Sequence, residues 1–440
     1  MAKSFRGGVH PDDCKRYTAA KAIEVAPIPQ KLIIPTRQHL GAPCVPTVKV
    51  GDLVKKGQII AEAQAFVASP VHASTSGKVV EIADYPHPVF GTCQAIVVES
   101  DGKDEWAEGL PLTRNWGTLD VKELKEIIRQ AGIVGMGGAT FPTHVKMAPP
   151  PEKPIDSFIL NGAECEPYLT ADHRVMLEQT DRIITGIQIA MKVLGVKNGY
   201  VGIEENKPDA IDAVRKACTG LNIEVVPLKT KYPQGAEKTL IKVILDREVP
   251  SGGLPMDVGV VVQNVGTLVA MADAAEKGIP LIERIVTVTG GAIVQPKNLL
   301  LRIGSTFAQA IQLCGGFKEQ PAKVIMGGPM MGMAQRTLDV PVIKGTSGIL
   351  ALSAADVNEG PERPCIRCGR CVDVCPMGLI PSMLSVLGER SAFEKAKEEY
   401  NLLDCVECGS CVYVCPAKRN IVHYIKLSKA HNAAKAAAKK

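Results

Sequence analysis

Cys365-Ile-Arg-Cys368-Gly-Arg-Cys371-Val-Asp-Val-Cys375-Pro376 and Cys405-Val-Glu-Cys408-Gly-Ser-Cys411-Val-Tyr-Val-Cys415-Pro416 are two copies of one pattern. In each, three thiolates spaced by two residues can wrap one face of an iron–sulfur cubane, and the fourth cysteine reaches the neighbouring cluster. The proline that follows fixes φ and turns the chain toward that neighbour. Gly369 and Gly409 leave the backbone free to aim successive N–H groups at the sulfurs. Cys365, Cys368, Cys371 and Cys415 are therefore assigned to one [4Fe–4S] cluster, and Cys375, Cys405, Cys408 and Cys411 to a second. Structural zinc suits isolated C-x2-C pairs. It fits two identical runs, each closed by proline, poorly.

Outward from these runs, the remaining six of the 14 cysteines are scattered. Clustered thiols argue for metal over disulfides, as does the start MAKSFRGGVHP, which lacks the apolar core of a signal peptide. A cytoplasmic setting is expected. Cys14, Cys44, Cys93, Cys218 and Cys314 read as small buried hydrophobes, whereas Cys165 sits inside a loop of ligand type. Between the runs, Met383, Leu384, Leu387, Phe393, Ala396 and Tyr400 suit two short helices, with Glu394, Lys395, Lys397 and Glu398 facing water. The module reads as helical and ferredoxin-like, relaying single electrons. The tail 426–440, rich in Ala and Lys, is expected to fray in solvent rather than bind lipid.

Hydrophobic residues make up 46% and charged residues 22%, the balance of a chain with several packed cores. Aromatics are only 4%, so Val, Ile, Leu and Ala must build them. A net charge of +5 is small for 440 residues and does not point to nucleic acid. The most apolar stretch, 258–275, is broken by Gln263, Asn264, Gly266, Thr267 and Asp273. It reads as a buried strand over 258–262, a turn and a helix, not a membrane span.

Strands and helices alternate upstream of the cysteines, as in an α/β domain. Asp120-Val-Lys-Glu123 resembles a capping box starting a helix with Val121, Leu124, Ile127 and Ile128 on one face. That helix stops at Ala131-Gly132. Next comes Gly135-Met136-Gly137-Gly138-Ala139-Thr140-Phe141-Pro142, a glycine loop before a cationic patch at His144 and Lys146. Such a loop lets backbone N–H groups approach a phosphate or a flat ring. A buried strand over 157–160 ends in Asn161-Gly162-Ala163-Glu164-Cys165-Glu166-Pro167, where open α/β sheets bind ligands. Asn161 could hydrogen-bond a flavin edge, and Glu164 and Glu166 could accept from ribose or nicotinamide. Gly235-Ala236-Glu237-Lys238 and Gln263-Asn264-Val265-Gly266-Thr267 complete the set.

GMGGATFP, NGAECEP, QGAEKTL and VQNVGTL, in that order, resemble the flavin- and NADH-binding subunit of respiratory complex I. With FRGGVHP, ASPVHASTSGKVV and the double cysteine run, the chain resembles still more closely the RnfC subunits of Rnf-type ferredoxin:NAD oxidoreductases. The resemblance implies FMN on the loop 135–143, with Gly135, Gly137, Gly138, Ala139 and Thr140. Lys146, Asn161, Glu164, Gln263, Asn264 and Thr267 would stand near it, and NADH would stack near Phe141, Glu166, Gly235 and Glu237. It further implies a peripheral place on the cytoplasmic face of a membrane-bound complex, beside a ferredoxin-like subunit. No side-chain acid, base or nucleophile is then required, since the cofactors carry the chemistry. Met136, Ala163 and Ala236 stand where the complex I pattern has an arginine, an aspartate and an acid. A cobalamin reductase with the same cofactors, or a flavin-free electron wire, are the alternatives.

The expected organisation is multidomain α/β. Residues 1–26 form an N-terminal extension and 27–112 a barrel-sandwich hybrid of biotinyl/lipoyl type. Its segment 65–70 lacks the carrier lysine, which favours docking over a swinging arm. His39, His72 and His87 are expected at surfaces or turns. Residues 113–283 form the Rossmann-like FMN/NADH domain and 284–353 a soluble-ligand-binding β-grasp domain, read as a spacer. Residues 354–425 form the cluster domain, and 426–440 the basic tail.

Overall fold

The computed structural model describes residues 2–357 and 360–438; Met1, Asn358, Glu359 and the tail residues Lys439 and Lys440 lie outside the described set. Four parallel strands form the central α/β sheet in the order Ile223–Leu228, Asn198–Glu204, Ser157–Gly162, Val260–Asn264. In chain order this is 3-2-1-4, so the connection reverses between Ser157–Gly162 and Val260–Asn264. A crevice opens at the carboxyl ends of the strands at such a reversal. The central strand is buried on both faces through Phe158, Ile159 and Leu160, as parallel sheets require.

The capping box forms as expected: Glu123 N–H donates to Asp120 Oδ1 and Asp120 N–H to Glu123 Oε2, opening helix Val121–Gln130. Leu124 and Ile128 are buried, but Val121 is exposed, because the first turn projects beyond the sheet. The strand expected over 258–262 runs instead over Val260–Asn264, since Pro255–Val258 closes as a 3-10 turn before it. Asn264 then caps helix Val265–Lys277 directly.

Seven strands over 31–100, the two longest forming the hairpin Gly77–His87 and Gly91–Ser100, build the barrel-sandwich around Leu32, Ile34, Ile60, Val79, Ile96 and Val98. His39, His72 and His87 are buried here rather than at the surface. Each ring fills space inside a domain poor in aromatics. His87 shows how a neutral imidazole is satisfied: Nδ1 accepts from the Val89 and Phe90 N–H groups, and Nε2–H donates to Arg37 O. Of the scattered cysteines, Cys93 is half-exposed while Cys14, Cys44, Cys218 and Cys314 are buried, because Cys93 lies close to the turn of its hairpin.

The β-grasp sheet has six strands, and its edge strand Ile23–Val25 comes from the N-terminus, parallel to Lys297–Arg302. Thr306 and Gln309 form a capping box on helix Phe307–Leu313. In the cluster domain, Pro381–Glu389 and Phe393–Tyr400 are the two expected helices. The tail does not fray over its described length. Helix Ile421–Ala437 continues through it, held by Lys429 Nζ on Cys405 O at 2.6 Å, Asn432 on Phe393 O and Lys435 on Glu394. Its lysines and asparagine find acceptors on neighbouring segments that composition alone does not reveal. Among the described residues no helix is long and apolar enough to cross a membrane.

Candidate functional site

The glycine loop lies over the crevice at the strand reversal. Gly135 N–H donates to Phe141 O, closing the loop, and Met136 N–H donates to Thr267 Oγ1 at 3.0 Å. Thr267, fully buried, also donates to Val134 O, so its hydroxyl anchors the loop. Gly137, Gly138 and Ala139 are exposed. A Cβ on Gly137 would stand 2.9 Å from Asn264 Nδ2, whereas one on Gly138 would meet nothing within 4 Å. Thr140, at φ 54, hands the chain back to Phe141.

Opposite the loop, Asn161 donates to Gly235 O at 2.8 Å and accepts from Ala163 N–H, joining two strand-end loops. Lys146 pairs with Glu237 at 2.5 Å, linking the short helix Thr143–Lys146 to the start of Glu237–Leu245. The cationic patch expected at His144 and Lys146 does not form. His144 is buried, burial lowers its pKa, and its Nε2 bonds Phe66 O at the barrel-sandwich tip. Gln263 is buried with its Nε2 unpartnered, and Gln234 is fully buried with neither amide atom partnered. These orphaned amides and the bare glycine backbone suit a flat, polar-edged ligand, so the residues present fit FMN.

The acids of the loop 161–167 are already engaged. Glu164 accepts from the Asp172 and His173 N–H groups, capping helix Ala171–Glu178. Glu166 accepts from Met330 and Met331 N–H of the β-grasp domain, and burial pushes its carboxyl up to about 7. Cys165 Sγ accepts from Gly235 N–H. Met136 clusters with Val134, Leu281 and Ile303, and Ala163 with Ile159 and Val226, so two of the three departures from the complex I pattern are apolar core positions, while Ala236 is half-buried at the start of helix Glu237–Leu245.

Sequence reading misses four charged groups. Asp172 accepts from Asn264 Nδ2 at 2.6 Å; burial and the Glu164 carboxylate beside it raise its pKa. Buried Arg284, from the β-grasp strand Glu283–Thr289, donates to Met136 O beneath the glycine loop. Lys207 Nζ holds Ala163 O at 2.7 Å, and Lys15 Nζ holds the carbonyls of Glu164, Glu166 and Leu169 at 2.9, 3.2 and 2.6 Å. Nothing in their local sequence marks them, because the partners named here lie far along the chain: a side-chain amide for Asp172 and backbone carbonyls for the other three.

The cysteines gather as two groups. Cys375, Cys405, Cys408 and Cys411 line one cavity with Pro376, Leu379, Leu384 and Ile425. Cys371, pushed up mainly by burial, also feels the charges of Cys365 and Cys415. Backbone N–H groups of Arg367, Leu379 and Glu407 donate to the sulfurs of Cys365, Cys375 and Cys405, each at 3.4 Å. Among the described residues no three His, Cys, Asp or Glu side chains converge on a point fit for a single ion. A thiol-lined cavity with N–H groups aimed at sulfur fits a cluster.

Domain comparisons agree with this layout. Residues 3–103 match an RnfC barrel sandwich hybrid domain and 128–273 a Nuo51 FMN-binding domain. Residues 285–334 match an SLBB domain and 364–419 a 4Fe-4S dicluster domain. The chain is 67% identical over 434 residues to the C component of the proton-translocating ferredoxin:NAD(+) oxidoreductase complex of Clostridium ljungdahlii, covering 99% of this chain and 95% of that one. It belongs to the RnfC family of these ion-translocating oxidoreductases. A second member, the C component of the Na(+)-translocating ferredoxin:NAD(+) oxidoreductase complex of Acetobacterium woodii, is 49% identical over 97% of this chain and 96% of that one. The fold recurs in an NAD+-reducing [NiFe]-hydrogenase, at a TM-score of 0.51 and 17% identity over 72% of this chain and 63% of that one. Membership of this family does not favour a cobalamin reductase, and the FMN-domain match argues against a flavin-free wire.

Proposed function

We propose that this chain is the NAD(H)-facing electron-transfer subunit of a membrane-bound ferredoxin:NAD⁺ oxidoreductase complex, with FMN in the crevice and two clusters on the eight cysteines. The carrying observation is the short link between the two sites. The Tyr232 hydroxyl donates to Cys408 O at 2.7 Å and lies 3.3 Å from Glu166, while Gly235, three residues on, bonds Asn161. One strand-end loop therefore touches both the flavin crevice and the cavity of Cys375, Cys405, Cys408 and Cys411.

When bound, FMN exchanges hydride with NAD(H) and the clusters carry single electrons. The chain's own residues position and insulate. Gly137, Gly138 and Ala139 present bare backbone; Gln263, Gln234 and Asn161 offer amides to a flavin edge. Lys146 and Glu237, paired across two helix ends, stand beside the crevice where a dinucleotide would enter. Apolar Leu379, Leu384, Val422 and Ile425 keep water from the inner cluster cavity.

The outer cluster, on Cys365, Cys368, Cys371 and Cys415, meets a partner. Cys368 is exposed, next to exposed Ile366 and to Arg363, Arg367 and Arg370, which form no ion pair among the described residues. An apolar centre with an arginine rim suits an acidic, ferredoxin-like subunit. Through that partner the chain sits peripherally on the cytoplasmic face of the membrane. NADH titration of the anaerobically reconstituted protein tests the reading. Flavin bleaching with cluster reduction is expected; a protein that takes up clusters but no flavin would refute it.

A further inference from the structure

Residues 3–25 run along the junction between the flavin crevice and the inner cluster cavity. Lys3 extends the edge of the α/β sheet beside Leu228, and its Nζ donates to Ile244 O at 2.9 Å. Gly8 N–H donates to Val374 O at 2.8 Å, on the peptide before Cys375. The next residue, Val9, exchanges two hydrogen bonds with Tyr232, at 2.8 and 2.9 Å. Successive residues thus bind one side of the junction each. Farther on, Tyr168 N–H donates to Asp13 O, Lys15 gathers the three carbonyls of the loop 164–169, and Ile23–Val25 joins the β-grasp sheet.

This path requires glycine twice. Gly7 and Gly8 lie at φ +79 and +77. A Cβ on Gly7 would stand 2.9 Å from Cys375 O, and one on Gly8 would stand 2.6 Å from Tyr232 O. Both obstacles are backbone atoms, which cannot swing aside as a side-chain tip can. One obstacle belongs to the peptide that carries a cysteine of the inner cavity. The other belongs to the loop that reaches the crevice.

We propose that residues 3–25 are a strap that sets the spacing between the flavin crevice and the inner cluster, with Gly7, Gly8 and Lys15 as positioning residues. The proposal rests on the cofactor placement above. The strap holds Cys375 from outside while Tyr232 holds Cys408 from within, so two of the four inner ligands are fixed against the flavin domain. Lys15 keeps the intervening loop in register by satisfying three carbonyls with one buried ammonium.

The test uses the full-length holoprotein carrying Gly8→Ala, with Gly51→Ala as control. Gly51 lies at φ +101 with nothing within 4 Å, so it reproduces the backbone strain without the contact. Gly8→Ala is expected to retain flavin, iron and the rate at which NADH bleaches the flavin. Reduction of the inner cluster should slow about tenfold or more, as misplacement of reacting centres does, and its EPR signal or midpoint potential should shift. The outer cluster's signal should not change, nor any signal in Gly51→Ala. Hydrogen exchange gives a readout independent of electron flow: amides at 231–234 and 372–379 should exchange faster in Gly8→Ala. An unchanged inner cluster with unchanged exchange would overturn the proposal, as would equal loss of flavin and both clusters. If instead the unaltered protein binds no flavin, the cofactor reading itself fails.

Discussion

The two cysteine runs share one local geometry and occupy opposite environments. Arg367 and Glu407 lie at φ 56 and 58, Gly369 and Gly409 at φ 77 and 80. Both runs aim an N–H at their first sulfur over 3.4 Å. Around the first run, Ile366 is 67% exposed and three arginines face solvent. Around the second, Cys408 and Cys411 are buried, Ser410 is fully buried, and Met330 O lies so near Gly409 that a Cβ there would stand 2.8 Å away. Glu407, which matches Arg367, is tied to Lys429 at 2.8 Å. Repetition of a motif thus duplicates the local backbone geometry, while packing buries one run against the Tyr232 loop and leaves the other exposed.

Breaking the cross-ligation gives the largest expected effect. Cys375→Ala should abolish the inner cluster and about half of the bound iron, leaving the outer cluster's EPR signal in place. Cys415→Ala should do the reverse. If Cys375→Ala removes the outer cluster instead, the assignment is wrong.

Reversing the arginine rim acts on the outer side alone. Arg363→Glu with Arg367→Glu should slow electron exchange with an acidic ferredoxin about tenfold or more at low salt. Reduction of the flavin by NADH should be unaffected, and the deficit should shrink as salt rises.

Tyr232→Phe acts on the inner side. It leaves the Cys408 carbonyl without its donor, at a cost of about 1–3 kcal/mol measurable by denaturant unfolding. Any shift in cluster potential should be confined to the inner cluster.

The effect most remote from the cofactors is acid lability of the barrel-sandwich. Burial chiefly holds His39 and His87 down to about 4 and His72 to about 3, against an ordinary 6.5. These rings stay neutral when folded and take protons near 6.5 when unfolded. The associated stability is therefore complete above about pH 6.5 and is lost as pH falls toward 4. Denaturation midpoints of this domain between pH 7 and 4 measure the slope, which His72→Gln should lessen.

Much of the architecture is legible in the sequence because its signals are local. The capping box at Asp120 and Glu123, the central strand at 157–160 and the two helices between the cysteine runs each depend on neighbours in sequence. The candidate site is legible in part. The glycine loop and the strand-end loops are visible as motifs, but Asp172, Arg284, Lys15 and Lys207 are not, since each holds an atom from 44 to 149 residues away. The three histidines read as surface residues because an isolated polar residue gives no sign of burial. The tail helix escapes a reading by composition because its docking lysines resemble solvated ones until their acceptors are in place.

The sequence by itself determined the candidate ligand set: eight thiols in proline-closed runs, a glycine loop, and amides at strand ends, all fixed by spacing within a turn or a strand. Only the tertiary structure decided the order in which they stand. Which cage is inner depends on Tyr232, Met330 and the Gly7–Gly8 strap meeting from three distant parts of the chain. Their contacts run through backbone carbonyls, and every residue has one, so no pattern of side chains could announce them.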